Sequence, residues 1–453
     1  MYRSTNTSVT PKFKKFPLDE RLTLPVLFEQ LTADQPEAFL FESADNVGGK
    51  GRYSYLGFDP AKRFVFEAGA KENPLEILRH FCQEIEFHKS PELPPFQGGF
   101  VGYFSYEVGR HFEDLNLPLD GAKIPEGIFF LPQQMVAIDH NLKELFLIAT
   151  TQEALERLEA KFRNVDLSLK KIKASDELDR SDESAAHEDE EARLLEGIAM
   201  AQERIKAGEI FQVVLSRGFQ RKTNLSPLEL YARLRLASPS PYMFFLKFAD
   251  FCIAGASPET QVKIQDRQVM VRPIAGTRRR GRTPLEDLEL AEELSQDPKE
   301  LAEHQMLVDL ARNDVGRVAK PGTVRVSQHK DIQKFSHVMH MVSEVRGEQS
   351  EDKDLFDVFQ ASFPAGTLSG APKVRAMKII AELEAKPRDI YGGAVGYFGL
   401  DGNMDLAIAI RTMLIKDGTV TFRTGAGIVH DSQPNLEHKE CLNKAQGILT
   451  ALQ

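Results

Sequence analysis

Tryptophan is absent from the 453 residues, and cysteine occurs only as Cys82, Cys252 and Cys441. Three isolated cysteines without a C-x-x-C pair exclude a disulfide framework and argue against a zinc site, and they are typical of a reducing compartment. No uninterrupted apolar run approaches the roughly 20 residues that a membrane helix needs. The first residues have no apolar stretch after their basic residues, so they do not resemble a secretory signal. We therefore expect a cytoplasmic protein without a membrane segment.

Positive charge is also in deficit. The chain carries 57 Lys and Arg against 67 Asp and Glu, which gives a net charge of −10. A negative protein repels a phosphate backbone, so this balance argues against nucleic-acid binding and favours a small-molecule partner. The hydrophobic content of 42% is ordinary for a globular protein, and the length allows two or three domains.

The patterning divides the chain into three parts. Residues 1–165 alternate short apolar runs with turn signals, which predicts a β-rich region, and residues 166–191 predict an acidic linker. Residues 192–453 alternate helices and strands. The expected fold class is α+β, a large and mostly antiparallel two-sheet β-sandwich with peripheral helices.

One heptapeptide occurs twice. "GGFVGYF" at 98–104 returns as "GGAVGYF" at 392–398, without a fixed repeat period. Two interpretations stay open. The two segments are either similar glycine-rich strands, or parts of two sheets that share a plan and pack face to face.

Two predicted helices carry acidic pairs on the side that faces the core. Glu437 and Glu440 lie near the start of the last helix, and Glu300 and Glu303 follow the strong helix start at Asp297. A capping box is the alternative role for Glu300. Buried carboxylates need a cation. Two helices that each present an inward Glu could bind Mg²⁺, which prefers oxygen ligands.

Three glycine-rich segments could approach an anion with their backbone N–H groups: "RPIAGTRRRG" at 272–281, "FPAGTLSGAPKVRAM" at 363–377 and "RTGAGIVHDS" at 423–432. None has the spacing of a P-loop or of a dinucleotide-binding fingerprint, and ordinary turns are the alternative. Arg411 lies among apolar residues of a strand, which indicates an inward guanidinium for a carboxylate. Arg278 to Arg280 are interpreted as solvated or in contact with another protein, and His340 as a core residue or a catalytic one. These features describe a site for an organic di-acid.

These segments together resemble the chorismate-utilising enzyme family, most closely its anthranilate synthase component I branch. The resemblance is carried by "PIAGTRRRG", "AEHQMLVDLARNDVGRV", "HVMHMVSEVRG", "FPAGTLSGAPKVRAM", "YGGAVGYFGLDGNMDLAIAIRTM", "GAGIVHDSQP" and "EHKECLNKA". They span about 190 to 450 in the family's order. "LFESAD" and "FQGGFVGYFSYE" cover the N-terminal part more thinly.

The resemblance implies a set of roles. Glu303 and Glu440 would bind Mg²⁺ directly, while Glu300 and Glu437 would act nearby or through water. The residues that would bind chorismate are Gly276, Thr277, Tyr391, Arg411, Gly425, Ala426, Gly427 and Lys444. The catalytic set would be Glu259 as the general acid for loss of the C4 hydroxyl, His340 as the candidate base, and Thr367 in the pocket.

The implied reaction converts chorismate and ammonia to anthranilate and pyruvate, the first committed step of tryptophan biosynthesis. Relatives that attack with a Lys carry it where this chain has Ala275, and relatives that activate water with a Lys carry it where this chain has Gln212. Free ammonia therefore suits this site. Since no cysteine lies in a glycine-rich nucleophile elbow, the resemblance implies a separate glutamine amidotransferase subunit as the source of that ammonia.

The resemblance also implies a tryptophan effector pocket. Its segments would be Leu40–Ser43 and Pro241, Tyr242 and Met243, with Phe41 in place of the usual Leu. Two alternatives to the main reading remain: an aminodeoxychorismate synthase component of the folate pathway, and a non-catalytic tryptophan or anion sensor on the same fold.

Overall fold

A computed structural model describes residues 7–43, 51–166, 169, 185–335 and 338–453, with the backbone alone for 185–188. Most of the predicted acidic linker lies outside the described residues, and its last part, from Ala185, already belongs to a helix. The division into three parts stays a prediction. Among the described residues, no helix combines the length and apolar composition that crossing a membrane needs.

The strands, in chain order, are β1 Thr7–Val9, β2 Lys12–Pro17, β3 Ala38–Glu42, β4 Tyr53–Phe66, β5 Ile85–Phe87, β6 Gly99–Phe104, β7 Gly127–Asp139, β8 Glu144–Ala149, β9 Gln212–Lys222, β10 Tyr242–Lys247, β11 Cys252–Ser257, β12 Thr260–Gln265, β13 Gln268–Val271, β14 Ile274–Arg279, β15 Arg325–Lys334, β16 Val338–Glu348, β17 Gly370–Ala371, β18 Ala394–Gly399, β19 Met404–Ile408, β20 Thr412–Lys416 and β21 Thr419–Ile428.

The α-helices are α1 Leu24–Thr32, α2 Pro74–Gln83, α3 Gln152–Arg163, α4 Ala185–Lys206, α5 Pro227–Ala237, α6 Pro284–Gln296, α7 Pro298–Gly316, α8 Leu355–Ser362, α9 Lys373–Glu384 and α10 Pro434–Ala451, and 3₁₀ turns occupy Tyr106–His111 and Gly366–Leu368. The predicted helix start at Asp297 is confirmed, because its side chain accepts hydrogen bonds from the backbone N–H groups of Lys299 and Glu300. The predicted last helix is α10.

The sheet confirms the expected fold class. Nineteen of the described strands form one continuous hydrogen-bonded network whose described pairings are all antiparallel, and β1 and β5 form a small parallel pair. The two ends of the chain interleave in this network: β3 pairs with β10, and β6 pairs with β18. The N-terminal strands are therefore built into the same sheet system as the strands of the C-terminal half.

Side chains point alternately to the two faces of each strand, which explains why the sheet has an inner and an outer core. Phe39 belongs to an inner core formed by strand and loop residues, together with Phe130 and Phe244. The next residue, Leu40, belongs to an outer core that the strands share with α1, α3, α5 and α10. Successive side chains of a strand point to opposite faces. Strands that are apolar on both faces can therefore pack on each other inside and carry helices outside.

The recurrent heptapeptide marks two strands that touch. β6 and β18 are antiparallel neighbours, with Gly102 opposite Gly396 and Gly99 opposite Gly399. The two segments are thus glycine-rich strands of one sheet. The alternative, two related sheets packed face to face through these segments, is wrong.

Gly102 generates a stability prediction. A Cβ at this position would lie 1.8 Å from the carbonyl oxygen of Ile128 on β7, so Gly102→Ala forces the two strands apart. We expect a loss of about 1–3 kcal/mol in the free energy of unfolding, the usual effect of overpacking. Urea unfolding measures it. Gly316→Ala is the control, because its Cβ meets nothing within 4 Å and alanine favours a helix. Equal midpoints for the two variants would contradict the prediction.

Candidate active site

A cavity of about 210 Å³ collects most of the predicted site residues. The predicted residues that line it are Glu259, Gly276, Thr277, Glu303, His340, Thr367, Tyr391, Arg411, Gly425, Gly427, Glu440 and Lys444. They come from segments up to 185 positions apart in the sequence, from Glu259 to Lys444. The cavity therefore exists only when β9, β14, β16 and β21 and the starts of α7 and α10 meet.

Three predicted residues lie outside the lining. Ala426 packs in an apolar cluster with Ile198 and Cys441, because alternation along β21 turns it away from its two glycine neighbours. Its backbone role stays a prediction. Glu437 is buried on α10 beside Glu440, and Glu300 lies behind Gly276. Both carboxylates are thus next to the cavity wall without forming it.

A bulge shapes the wall near Gly276. The register between β14 and β16 shifts between Ala275 and Thr277, and Gly276 adopts φ +68°. Glycine reaches this left-handed region without steric cost. A Cβ here would also come within 3.1 Å of a Glu300 carboxylate oxygen. The bulge leaves Thr277 opposite His340, so the two side chains meet at one end of the cavity.

Four carboxylates gather at the acidic end of the cavity: Glu303 and Glu440 line it, and Glu300 and Glu437 lie next to it. Glu303 accepts a hydrogen bond of 3.1 Å from Gln212 Nε2, and Glu440 forms an ion pair of 2.7 Å with Lys444. Burial raises the pKa of Glu303, and the charges of Glu300 and Glu440 raise it further. Burial likewise raises the pKa of Glu437. Lys444 pairs with Glu440 and Arg278 with Glu300, whereas Glu303 has no ion-pair partner among the described residues.

The three consecutive arginines form ion pairs with carboxylates of their own chain. Arg278 donates to Glu293, Asp297 and Glu300, at 2.9, 2.8 and 3.2 Å. Arg279 pairs with Glu286 and Arg280 with Asp287. The interpretation that these arginines are solvated holds for Arg279, whose side chain is 57% exposed, whereas Arg278 is mostly buried by its three carboxylate partners. Contact with another protein stays a prediction. Glu300 accepts from Arg278, and no capping box involving Glu300 is formed at the start of α7.

Glu259 is a carboxyl group held out of water. It lies between β11 and β12, fully buried, and accepts a hydrogen bond of 3.0 Å from Thr367 Oγ1. Burial raises its pKa to about 8, although Thr367, Lys444 and Arg411 act in the opposite direction. The group is therefore largely protonated at neutral pH and can donate a proton inside the cavity.

His340 is buried in the same cavity, but its protonation state is the opposite of that of Glu259. Burial lowers its pKa to about 4, and the charges of Arg411 and Lys444 add to the effect. The ring is neutral at neutral pH. Its Nδ1 lies 3.1 Å from the carbonyl oxygen of Gly276. Thr277 Oγ1 lies 3.0 Å from the same nitrogen. In the tautomer with the proton on Nδ1, this nitrogen can donate to both oxygens, and Nε2 keeps a lone pair; the opposite tautomer would set a lone pair against the carbonyl oxygen. The cavity thus holds a buried acid and a neutral base.

The cationic side of the cavity is formed by Arg411 and Lys444. Burial lowers the pKa of Arg411, and Glu259 partly compensates. Within the part of the chain that the structure describes, no side chain or carbonyl accepts a hydrogen bond from its guanidinium. Lys444 Nζ donates to the carbonyl of Gly425 at 2.9 Å. An anionic ligand is the natural partner for a guanidinium in this position.

Sequence reasoning did not single out Arg423 for the cavity, yet it lines the wall with Tyr391 and Gln212. Arg423 is two positions before Gly425 on β21, so both point to the same face. This two-residue spacing is the feature of the sequence that could have identified Arg423 as a wall residue. The sequence marks Gln212 only as the position of a missing lysine. Its hydrogen bond to Glu303 depends on the tertiary structure.

The predicted effector segments meet at a different place. Met243 lies opposite Glu42 where β3 and β10 pair, which brings Ser43 and Pro241 to adjacent strand ends. Tyr242 donates to Asp405 at 2.9 Å, and Glu42 accepts from Tyr231 at 2.8 Å. None of the predicted effector residues lines the cavity.

Comparisons with known proteins agree with this geometry. A family model described as chorismate binding enzyme matches residues 36–450. The chain is 43% identical to anthranilate synthase component 1 of Streptomyces coelicolor, over 98% of this chain and 89% of that protein. It is 41% identical to anthranilate synthase component 1 of Acetivibrio thermocellus, over 92% and 90%.

Solved structures give the same answer. The crystal structure of anthranilate synthase component I from Streptococcus pneumoniae aligns with a TM-score of 0.77 at 33% identity, over 96% of this chain and 99% of that one. The menaquinone-specific isochorismate synthase of Escherichia coli aligns with a TM-score of 0.76 at 18% identity, over 99% and 96%, and at that identity it shares the fold alone. Together with the motifs, these matches show that the chain belongs to the family of chorismate binding enzymes.

Proposed function

We propose that this chain converts chorismate and ammonia to anthranilate and pyruvate. The observation that carries the proposal is the cavity in which Glu259, protonated at neutral pH, and neutral His340 lie beside the cations Arg411 and Lys444. Relatives about 40% identical are named anthranilate synthase component 1, which supports the same reaction.

The first step is the exchange of a hydroxyl for an amine. Arg411 and Lys444 bind the two carboxylates of chorismate and orient its ring. Ammonia adds at C2 while both ring double bonds shift by one position and the C4–O bond breaks. Glu259 gives its proton to the departing hydroxyl, which leaves as water, since hydroxide is a poor leaving group. The Glu259 carboxylate that remains is stabilised by the Thr367 hydroxyl. The added nitrogen then loses a proton to become the amine, which allows Glu259 to be protonated again.

The second step makes the ring aromatic. Nε2 of His340 removes the proton from C2 of aminodeoxyisochorismate, and the released electron pair forms a ring double bond. The C3–O bond to the enolpyruvyl group breaks, and the product leaves as pyruvate after it takes up a proton. His340 can act as the base because its ring is neutral in the cavity.

Mg²⁺ fits the acidic end of the cavity. The protein would contribute the two carboxylates of Glu303 and Glu440, and Glu300 and Glu437 would act nearby or through water. Among the described residues, no three His, Cys, Asp or Glu side chains are grouped so that they could hold a metal ion by themselves. Burial raises the pKa of Glu303, the charges of Glu300 and Glu440 add to the effect, and a bound cation would oppose both. Carboxylate oxygens suit Mg²⁺, which keeps several waters. When bound, the ion would neutralise the ring carboxylate of chorismate.

The side chains that face the nucleophile favour ammonia. Ala275 and Gln212 line the cavity where related enzymes carry a lysine, and neither can attack carbon or activate water as a base. We infer that the alternative, an aminodeoxychorismate synthase component, is disfavoured by Ala275. The sensor alternative is disfavoured by the buried acid and base, which tryptophan binding would not need.

A separate glutamine amidotransferase subunit would supply the ammonia. The described cysteines are buried or half-buried and free, and burial raises the pKa of Cys441 to about 11. A thiol with a raised pKa is a poor nucleophile for glutamine hydrolysis. We further propose that the reaction takes place in the cytoplasm, where thiols stay reduced.

Tryptophan would be the effector at the paired ends of β3 and β10. This proposal rests on the juxtaposition of Ser43 with Pro241 and Tyr242, on a strand pair that links the two ends of the chain. An effector shifts an equilibrium only by its differential affinity for two states. A ligand between these strands could favour a less active arrangement of the sheet.

The ammonia source gives the test of the proposed function. The pure chain should form anthranilate from chorismate, Mg²⁺ and an ammonium salt, and should form none from glutamine until an amidotransferase subunit is added. Anthranilate fluorescence reports the product, and chromatography separates it from 4-aminobenzoate. Formation of 4-aminobenzoate, or glutamine-dependent activity of the isolated chain, would contradict the proposal.

The metal ligands give a second prediction. Glu440→Gln removes one carboxylate from the proposed ion, so turnover should fall at least about 100-fold, because a bound metal supplies several kcal/mol. Calorimetry should show weaker Mg²⁺ binding in the same variant. Glu382→Gln, at an exposed ion pair of α9, is the control and should keep both properties. An active Glu440→Gln enzyme rules out the ligand assignment.

The pKa of Glu259 gives a third prediction. The acid works only while it is protonated, so kcat/KM for chorismate should fall about tenfold per unit as pH rises beyond about 8. The base His340 stays neutral down to about pH 4, so a plateau should lie between these limits. The profile is measured at constant free ammonia. Glu259→Gln should lower activity by about 10²–10⁴ and abolish the alkaline decline. If the alkaline decline of kcat/KM persists in Glu259→Gln, it arises from the titration of another group, and the prediction is wrong.

Tryptophan inhibition gives a fourth prediction. Tryptophan should inhibit the wild-type chain with a coupling of about 1–3 kcal/mol, and chorismate should weaken tryptophan binding by the same factor. Ser43→Phe should relieve inhibition with little loss of turnover, because it fills the pocket away from the cavity. Calorimetry that detects no tryptophan binding to the wild type would remove this proposal alone.

A further inference from the structure

A fully buried cation lies one layer behind the cavity. The Arg388 side chain is 1% exposed and does not line the cavity. Its guanidinium lies between two aromatic rings, 4.7 Å from the centroid of Tyr106 and 5.5 Å from that of Tyr391. Tyr391 does line the cavity. Arg388 therefore supports a cavity residue without reaching the ligand itself.

The same guanidinium joins two other parts of the wall. It donates to the backbone carbonyls of Leu368 and Val214, each at 2.7 Å. Val214 belongs to β9, Leu368 ends the 3₁₀ turn after Thr367, and both residues line the cavity. Arg388 thus fixes three separate segments relative to one another.

Glu384 completes the arrangement. It accepts from Arg388 at 2.9 and 2.5 Å, from Ser216 N and Oγ at 2.8 and 3.0 Å, and from Arg423 at 3.2 Å. Two guanidinium groups keep the pKa of Glu384 below its usual value despite its burial. Arg423 is itself a wall residue. The ion pair consequently holds a fourth segment, β21.

Burial of such a pair is costly unless every donor and acceptor is used. Here both ions are buried, and Arg388 donates hydrogen bonds to backbone carbonyls that border the cavity. A lysine has the charge but lacks the planar fork, so it cannot hold two carbonyls and a carboxylate in this geometry. The Glu384–Arg388 pair therefore holds the neighbouring backbone segments in fixed positions.

We propose that Glu384 and Arg388 form a positioning pair that fixes Tyr391 and the adjoining backbone for chorismate binding; this inference rests on the proposed function. The hydroxyl of Tyr391 lies over Gly425, since a Cβ built on that glycine would come within 2.5 Å of it. The carbonyl of Gly425 accepts from Lys444. A tilt of the Tyr391 ring would therefore move the hydroxyl across the part of the cavity that receives a carboxylate.

The test is Arg388→Lys, assayed with chorismate, Mg²⁺ and ammonium. KM for chorismate should rise about tenfold while kcat changes less than about threefold. Arg375→Lys is the matched control, because it removes an Arg–Glu pair with Glu209 at the surface of the same region, and its KM should not change. Glu384→Gln serves as the second variant if Arg388→Lys does not fold, as judged by circular dichroism, and should raise KM in the same way.

A double-mutant cycle with Tyr391→Phe separates positioning from general destabilisation. If Arg388 acts through Tyr391, the double variant should raise KM no more than the larger single variant does. Multiplying effects, or an unchanged KM in the folded Arg388→Lys and Glu384→Gln variants, would overturn the inference. Calorimetry measures chorismate binding without ammonia, and it should show a tenfold higher Kd for Arg388→Lys than for the wild type. This measurement does not require the wild type to form anthranilate. A wild type that does not bind chorismate would overturn both proposals.

Discussion

Exclusion of water from charged groups is the constraint on which this structure depends. It gives Glu259 and His340 opposite states at the same pH, since burial penalises the charged form of each and thereby protonates the acid and deprotonates the base. The same cost explains why the Glu384–Arg388 pair uses nearly every hydrogen-bonding group it has. At the acidic end, burial raises the pKa of Glu303, and the charges of Glu300 and Glu440 add to the effect.

The interleaved sheet is what keeps these groups buried. Strands from the two ends of the chain pair directly, so the wall of the cavity and the strands of the predicted effector segments belong to one hydrogen-bonded system. Close-packed cores move between discrete arrangements rather than deforming continuously. Such a system offers a physical route for a ligand at β3 and β10 to influence a cavity made by other strands. Gly102 and Gly396 show how tightly the junction is packed, because their strands leave no room for a side chain.

Much of the site was predictable from the residues. The capping signal at Asp297 located α7, and helical spacing singled out Glu303 and Glu440, both of which line the cavity, although the Glu440 side chain is 47% exposed. The glycine-rich segments showed where backbone could approach an anion. Other features were not readable. The pairing of Arg278 with Glu300 depends on how α6 and α7 pack on β14, and the identity of Arg388 as the support of Tyr391 depends on a contact between a loop and three distant segments.

The sequence by itself determined the class of fold, the family and the types of side chain available to the chemistry, because these follow from local periodicity and from motifs of consecutive residues. Only the tertiary structure decided which of those side chains share one cavity and in which protonation state. Proton affinity depends on solvation and on charges brought close by folding, and neither is encoded in the spacing of residues. Glu259 stands in a short turn motif like many others; its burial, which outweighs the opposing effects of Thr367 and Arg411, is what raises its pKa.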